Sequence, residues 1–149
     1  MSPFSLKGRI ALVTGAGKGI GKSCVLAFAR AGADVALVGR TGATLEVASG
    51  EARALGVRAL VLAGDVSDPL FPAKAVEACT KEFGALHILV NNAGKTQDGL
   101  VMRMSDQDWE AVLATNLTGA FRMVRAACRP MMKQRWGRII NMASVVALT

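Results

Sequence analysis

Tyrosine is absent from this 149-residue chain, histidine occurs once and cysteine three times. Cys24, Cys79 and Cys128 lie far apart, with no CxxC pair and no histidine cluster beside them. That pattern argues against a disulfide framework and against a zinc site, and no metal is expected. The thiols read as small buried side chains in a reducing compartment. No apolar run approaches the ~20 residues that a membrane-spanning helix needs. A secretory signal pattern is also missing, because after Lys7 and Arg9 the apolar run Ile10–Val13 is short and leads into glycines. A soluble cytoplasmic protein is the expectation. Acid is missing from residues 111–149, which hold six Lys/Arg and no Asp/Glu, whereas residues 1–110 hold 12 against 11. The net charge of +7 is therefore local. A general nucleic-acid surface does not fit this, nor do base-stacking aromatics interleave the basic residues.

What is present is a globular composition, 52% apolar and 19% charged, of a length that suits one domain over residues 1–149. Strand and helix signals alternate. Short β-branched or apolar runs at Ile10–Val13, Val35–Val38, Val57–Ala63, Leu86–Val90 and Ile139–Met142 read as five strands. Between them apolar residues recur at helical spacing. Ile20, Cys24, Ala27, Phe28 and Ala31 form one such set, ended by Gly32; Leu45, Ala48, Ala52 and Leu55 form the next, ended by Gly56. Asp68-Pro69 predicts the start of a third helix, with Ala73, Val76, Cys79 and Phe83 on its apolar face. Ser105, with Asp108 three residues on, predicts the cap of a long fourth helix. Its apolar positions include Trp109, Leu117 and Phe121, and Pro130 should bend or end it. Five strands and four helices in alternation imply an α/β fold. It is a doubly wound parallel sheet with right-handed crossovers and strand order 3-2-1-4-5.

Gly15, Gly19 and Gly21 follow the first strand and open the first helix. Gly15 permits the tight turn off the strand. Gly19 lets backbone approach a pyrophosphate, and Gly21 lets the helix pack closely on the sheet. The helix N-terminus then offers unpaired N–H groups and a partial positive charge to phosphates. An NAD site would place a carboxylate at the end of the second strand; this chain has Gly39-Arg40 instead. Arg40 and Lys18 are both cationic and suit a 2′-phosphate, so NADP(H) is the expected cofactor.

These residues resemble the short-chain dehydrogenase/reductase family. Thr14-Gly15-Ala16-Gly17-Lys18-Gly19-Ile20-Gly21 looks like its cofactor motif, and Asp65-Val66 like the pair that meets the adenine ring. Asn91-Asn92-Ala93-Gly94 looks like its NNAG motif, with Asn92, Ala93 and Gly94 passing close to the cofactor ribose. Asn116 and Ser144 match the asparagine and the serine of its catalytic tetrad. The resemblance implies a Rossmann-like fold, in part. It also implies that Ser144 bonds the substrate carbonyl and that Asn116 holds a relay water through its side chain or backbone. Further text looks like the bacterial 3-oxoacyl-[acyl-carrier-protein] reductases: 98–104, Trp109, Arg129-Pro130-Met131-Met132 and 137–141. That implies NADPH-dependent reduction of a β-ketoacyl thioester in fatty-acid synthesis, by a homo-oligomer.

Two features qualify that expectation. The family's tyrosine and lysine, in Tyr-x-x-x-Lys, would fall beyond Thr149 by the usual spacing, so the 149 residues are expected to be inactive. A non-catalytic NADP-binding module, or a reductase of another carbonyl or alcohol, is the alternative. Arg122, Arg125, Arg129 and Lys133 follow one another at three- or four-residue spacing, and Arg135 and Arg138 extend the charge. This stripe is either a solvated face or a docking surface for the acidic acyl carrier protein that the resemblance implies. Arg135 and Arg129 are the expected contacts.

Overall fold

The computed structural model describes residues 4–144. Five strands pair in parallel: β1 (Ile10–Thr14), β2 (Asp34–Gly39), β3 (Ala59–Ala63), β4 (Ile88–Asn91) and β5 (Arg138–Asn141). Their order is β3-β2-β1-β4-β5, the order the sequence implies. The central strands are covered on both faces, which is why they read as unbroken apolar runs. Alternate residues serve opposite cores. Ile10 and Leu12 of β1 join one, and Ala11 and Val13 the other. Helices α1 (Gly19–Arg30) and α2 (Gly42–Ala54) cover the second core through Val25, Ala29, Leu45 and Ala48. Helices α3 (Phe71–Phe83) and α5 (Ala120–Lys133) cover the first through Val76, Cys79, Met123 and Ala127. Burial pushes the Cys79 thiol up to about 12, which fits a packing role. At the sheet edge all four residues of β5 are exposed. Among the described residues no helix is long and apolar enough to cross a membrane, and no group of acidic, His or Cys side chains could hold a metal.

Three helix expectations need correction. First, α3 begins at Phe71, not at Pro69. Asp68 instead accepts the Leu70 N–H at 2.8 Å in a local turn, and Pro72 takes the first-turn position where no N–H is needed. The start is set by Phe71, whose ring lies where a side chain on Gly64 would sit. Ala73 is exposed and Ala75 takes the core position.

Second, the long fourth helix is three pieces. Ser105 caps α4 (Asp106–Leu113) as expected, accepting the Asp108 N–H at 3.1 Å. A π-helical stretch, Ala114–Gly119, then leads into α5. The inserted stretch breaks the 3.6-residue phase, so Trp109, Leu117 and Phe121 are exposed while Met123, Ala127 and Met131 are buried. Third, Pro130 lies inside α5, which runs on to Lys133.

The lower end of the sheet, where the strands begin, carries a ring cluster. The His87 ring meets Trp136 edge-on at 5.6 Å, and the Arg9 guanidinium lies 3.9 Å over the Trp136 ring. The His87 Nδ1 accepts the Ile10 N–H at 3.1 Å. Burial first, and then the Arg9 charge, lower the His87 pKa below its ordinary value. The unfolded chain therefore takes up this proton first as pH falls through about 6.5, and stability falls with it until the folded ring also protonates. The urea midpoint is expected to be lower at pH 5.5 than at pH 7.5, and the single histidine to titrate below 6.5 by NMR. A flat midpoint, or a ring titrating at or above 6.5, would contradict this.

Candidate functional site

In this strand order β1 lies between β2 and β4, so the chain turns to opposite sides after β1 and after β4. The loops diverge there and leave a crevice outside the C-terminal ends of the strands. A cavity of about 430 Å³ fills it. Its walls are the glycine-rich turn after β1, the end of β2 with the start of α2, the loop after β3 and the loop after β4.

The turn is built by close approach. Gly15 has φ +64°, and a methyl on it would lie 2.9 Å from Asn92 Nδ2. A methyl on Gly21 would overlap the Gly15 carbonyl, and Gly21 is buried beneath the cavity instead of lining it. Gly19 has φ +54° and open space around it. Lys18 stands at the N-cap of α1 without a side-chain cap, and the first turn holds no acid. The positive helix end is left free of a protein anion, beside a bare glycine backbone. These features fit a phosphate-bearing ligand.

Thr14 joins the two halves of the site, a role the sequence did not reveal. Its hydroxyl is buried, and its Oγ1 accepts the N–H groups of Asn92 at 3.0 Å and Ala93 at 2.9 Å. The Asn92 side chain returns the link by donating to the Thr14 carbonyl at 3.1 Å. The only earlier sign was the position of Thr14 at the head of the glycine motif.

Arg40 and Lys18 are exposed and line the cavity from β2 and from the turn. Asp65 and Val66 line it from the loop after β3. Burial raises the Asp65 pKa. The Ser67 N–H and hydroxyl, donating at 2.9 and 2.8 Å, together with the Arg40 and Lys95 charges, outweigh burial and hold it below its ordinary value. Asp65 is thus a fixed anion between two cations. Lys95 lines the cavity and was missed, because it reads as a polar loop residue after Gly94.

Asn92, Ala93 and Gly94 also line the cavity. Asn116 holds the next residue: its Oδ1 accepts the Lys95 N–H at 2.8 Å and its Nδ2 donates to the Lys95 carbonyl at 2.9 Å. Both ends of the amide are engaged with Lys95, and one N–H and one lone pair of the amide remain beyond these two bonds. The π-helical stretch that carries it packs against the loop after β3, where a methyl on Gly119 would lie 2.9 Å from Val66 Cγ2. Ser144 lies three residues past β5. β5 is set in register by Asn91, whose Nδ2 donates to Asn141 Oδ1 at 2.9 Å. Ser144 therefore shares the C-terminal edge of the sheet with Asn92–Gly94.

The basic residues divide. Arg122 is partly buried and donates to the Ser67 carbonyl at 3.1 Å, so it does not belong to a solvated stripe. Arg125 stacks over Phe121, and Arg129 and Lys133 are exposed. Arg135, with φ +57°, sits in the turn before β5. That turn is at the opposite end of the sheet from the cavity, so the fold does not bring Arg135 to the site.

The fold is α/β and Rossmann-like, with its crevice at the switch point. A family model described as short chain dehydrogenase matches residues 9–149, and the chain belongs to that family. It is 44% identical over 143 residues to the 3-oxoacyl-[acyl-carrier-protein] reductase FabG of Vibrio cholerae, covering 96% of this chain and 57% of that protein. The corresponding reductase of Escherichia coli K12 is 43% identical with the same coverage. Among solved structures, a short-chain type dehydrogenase/reductase from Mycobacterium marinum superposes with a TM-score of 0.95 at 37% identity, covering 100% of this chain and 62% of that one. An NAD+-bound xylitol dehydrogenase superposes with a TM-score of 0.93 at 34% identity, covering 99% and 56%. The chain thus spans little more than half the length of the reductases it matches.

Proposed function

We propose that residues 1–149 are a single NADP(H)-binding domain of a reductase that converts 3-oxoacyl-[acyl-carrier-protein] to the 3-hydroxyacyl form. The observation that carries this is the pair Lys18 and Arg40 on the wall of a cavity cradled by Gly15 and Gly19, with no acid at the end of β2. The turn and the N-terminus of α1 hold the pyrophosphate, and the two cations hold a 2′-phosphate. Asp65 and Val66 meet the adenine, and Asn92, Ala93 and Gly94 pass beside the ribose. The bound nicotinamide supplies a hydride. Ser144 donates to the substrate carbonyl and orients it, and Asn116 holds a water through its side chain or backbone. The identity to 3-oxoacyl-[acyl-carrier-protein] reductases supports a carrier-bound substrate. In this reading Arg129 is a contact for the acidic carrier, and Arg135 contributes to steering from the far end of the sheet.

The 149 residues hold no tyrosine, the proton donor of the resembled family. They are therefore expected to bind NADPH without oxidising it. NADPH fluorescence should change on adding the protein, and absorbance at 340 nm should stay flat when an acetoacetyl thioester follows. Thioester-dependent oxidation above background would overturn the inactivity. The absence of any fluorescence change would overturn the cofactor reading.

A further inference from the structure

Three ties hold the glycine-rich turn and α1 against β2 and α2. The Ala16 N–H donates to the Val38 carbonyl at 3.0 Å. Lys22 in α1 pairs with Glu51 in α2 at 2.7 Å. Between them, Gly17 abuts Thr44: a methyl on Gly17 would overlap Thr44 Oγ1 and lie 3.2 Å from Thr44 Cβ. The first two ties are ordinary fold contacts. The third lies between the two cations. Gly17 adjoins Lys18, and Thr44 Oγ1 donates at 2.9 Å to the carbonyl of Thr41, the neighbour of Arg40. Thr44 Oγ1 can turn away only by giving up its bond to Thr41, and its Cβ stays placed by the first turn of α2. Both residues line the cavity.

We propose that Gly17 and Thr44 act as a spacer: their contact sets the separation of Lys18 and Arg40 and so tunes discrimination for the 2′-phosphate. Both are positioning residues, since neither supplies charge to the phosphate. The inference rests on the NADP(H) reading above. A cation pair gains from a shared anion only at a matched separation, because charge-assisted hydrogen bonds weaken quickly beyond about 3 Å. A wedge of one methyl between the loops moves the pair apart, and removing the Thr44 side chain restores room for that methyl.

The test is calorimetric titration of each variant with NADP+ and with NAD+, read as the ratio of the two Kd values. Gly17→Ala is expected to lower the preference for NADP+ roughly tenfold relative to the parent chain. Adding Thr44→Ala should restore it to within about threefold. A merely structural lesion would weaken both ligands alike and leave the ratio unmoved. An unchanged ratio in Gly17→Ala, or a double variant as impaired as the single one, overturns the spacer. Thr44→Ala alone, at an exposed position, carries the test if Gly17→Ala does not fold: its ratio should fall at least about threefold, and no change overturns the proposal. A parent chain without preference for NADP+ overturns the cofactor reading instead, so the two failures are distinguishable.

Discussion

Arg40→Glu is expected to weaken NADPH binding roughly 100-fold while leaving NADH affinity within a few fold. A hydrogen bond to a charged group contributes about 1.5–3 kcal/mol, and each 1.4 kcal/mol is a tenfold change in affinity. The substitution removes the cation at the end of β2 and puts a carboxylate against the 2′-phosphate. It also sets that carboxylate near Asp65, whose charge Arg40 now supports. The Asp65 pKa should therefore rise, by loss of an attraction and gain of a like charge. NADH has no 2′-phosphate, and a carboxylate in this place can accept a bond from its ribose hydroxyl. Calorimetry with both cofactors reads the effect. Equal loss for NADPH and NADH would mean that Arg40 acts on the fold and not on the phosphate.

Thr14→Val is expected to be the most costly conservative change in the site. Valine keeps the shape and removes the oxygen that accepts from Asn92 and Ala93. Two N–H groups at the end of β4 then lose their acceptor, at about 1–3 kcal/mol each. The expected loss is roughly 2–6 kcal/mol, out of a stability of about 5–15 kcal/mol for a native domain. Thermal unfolding should fall by roughly 4–24 °C, because a domain of this length loses about 2–4 °C per kcal/mol. Thr14→Ser, which retains the oxygen, should recover most of it. A midpoint for Thr14→Val within about 2 °C of the parent would show that the hydroxyl does not join β1 to β4.

Much of the frame is legible in the sequence. Buried parallel strands leave apolar runs such as Ile10–Val13, and the alternation with helices, read as doubly wound, predicts the order 3-2-1-4-5 that the sheet has. The glycine turn was legible because Gly15 and Gly21 stand where backbone and side chains approach too closely for a Cβ. What escaped was set by packing and by a local change of helix type that the residue pattern does not signal. The Asp68-Pro69 start was a sound local signal, displaced by the seat of Phe71 against Gly64. The apolar face of the long helix was misread because a 3.6-residue period cannot be carried through the stretch Ala114–Gly119.

In the site itself, cations at Lys18 and Arg40 were visible from their places beside known turns. Thr14, Thr44 and Lys95 were not, since each looks like an ordinary strand end, helix start or loop residue. Their importance comes from a partner well separated in the chain: Asn92 for Thr14, Gly17 for Thr44, Asn116 for Lys95. Asn116 is legible from its motif, but its bonds to Lys95 are seen only in the fold.

The central claim is that the crevice between β1 and β4 is a site for NADP(H) that reads the 2′-phosphate. Side-by-side calorimetric titration of the 149-residue protein with NADP+ and NAD+ tests it most directly. The prediction is saturable binding of NADP+ at least about tenfold tighter than that of NAD+, the value of one well-placed charged hydrogen bond. Equal affinities, or no binding of either cofactor by the folded protein, would contradict it.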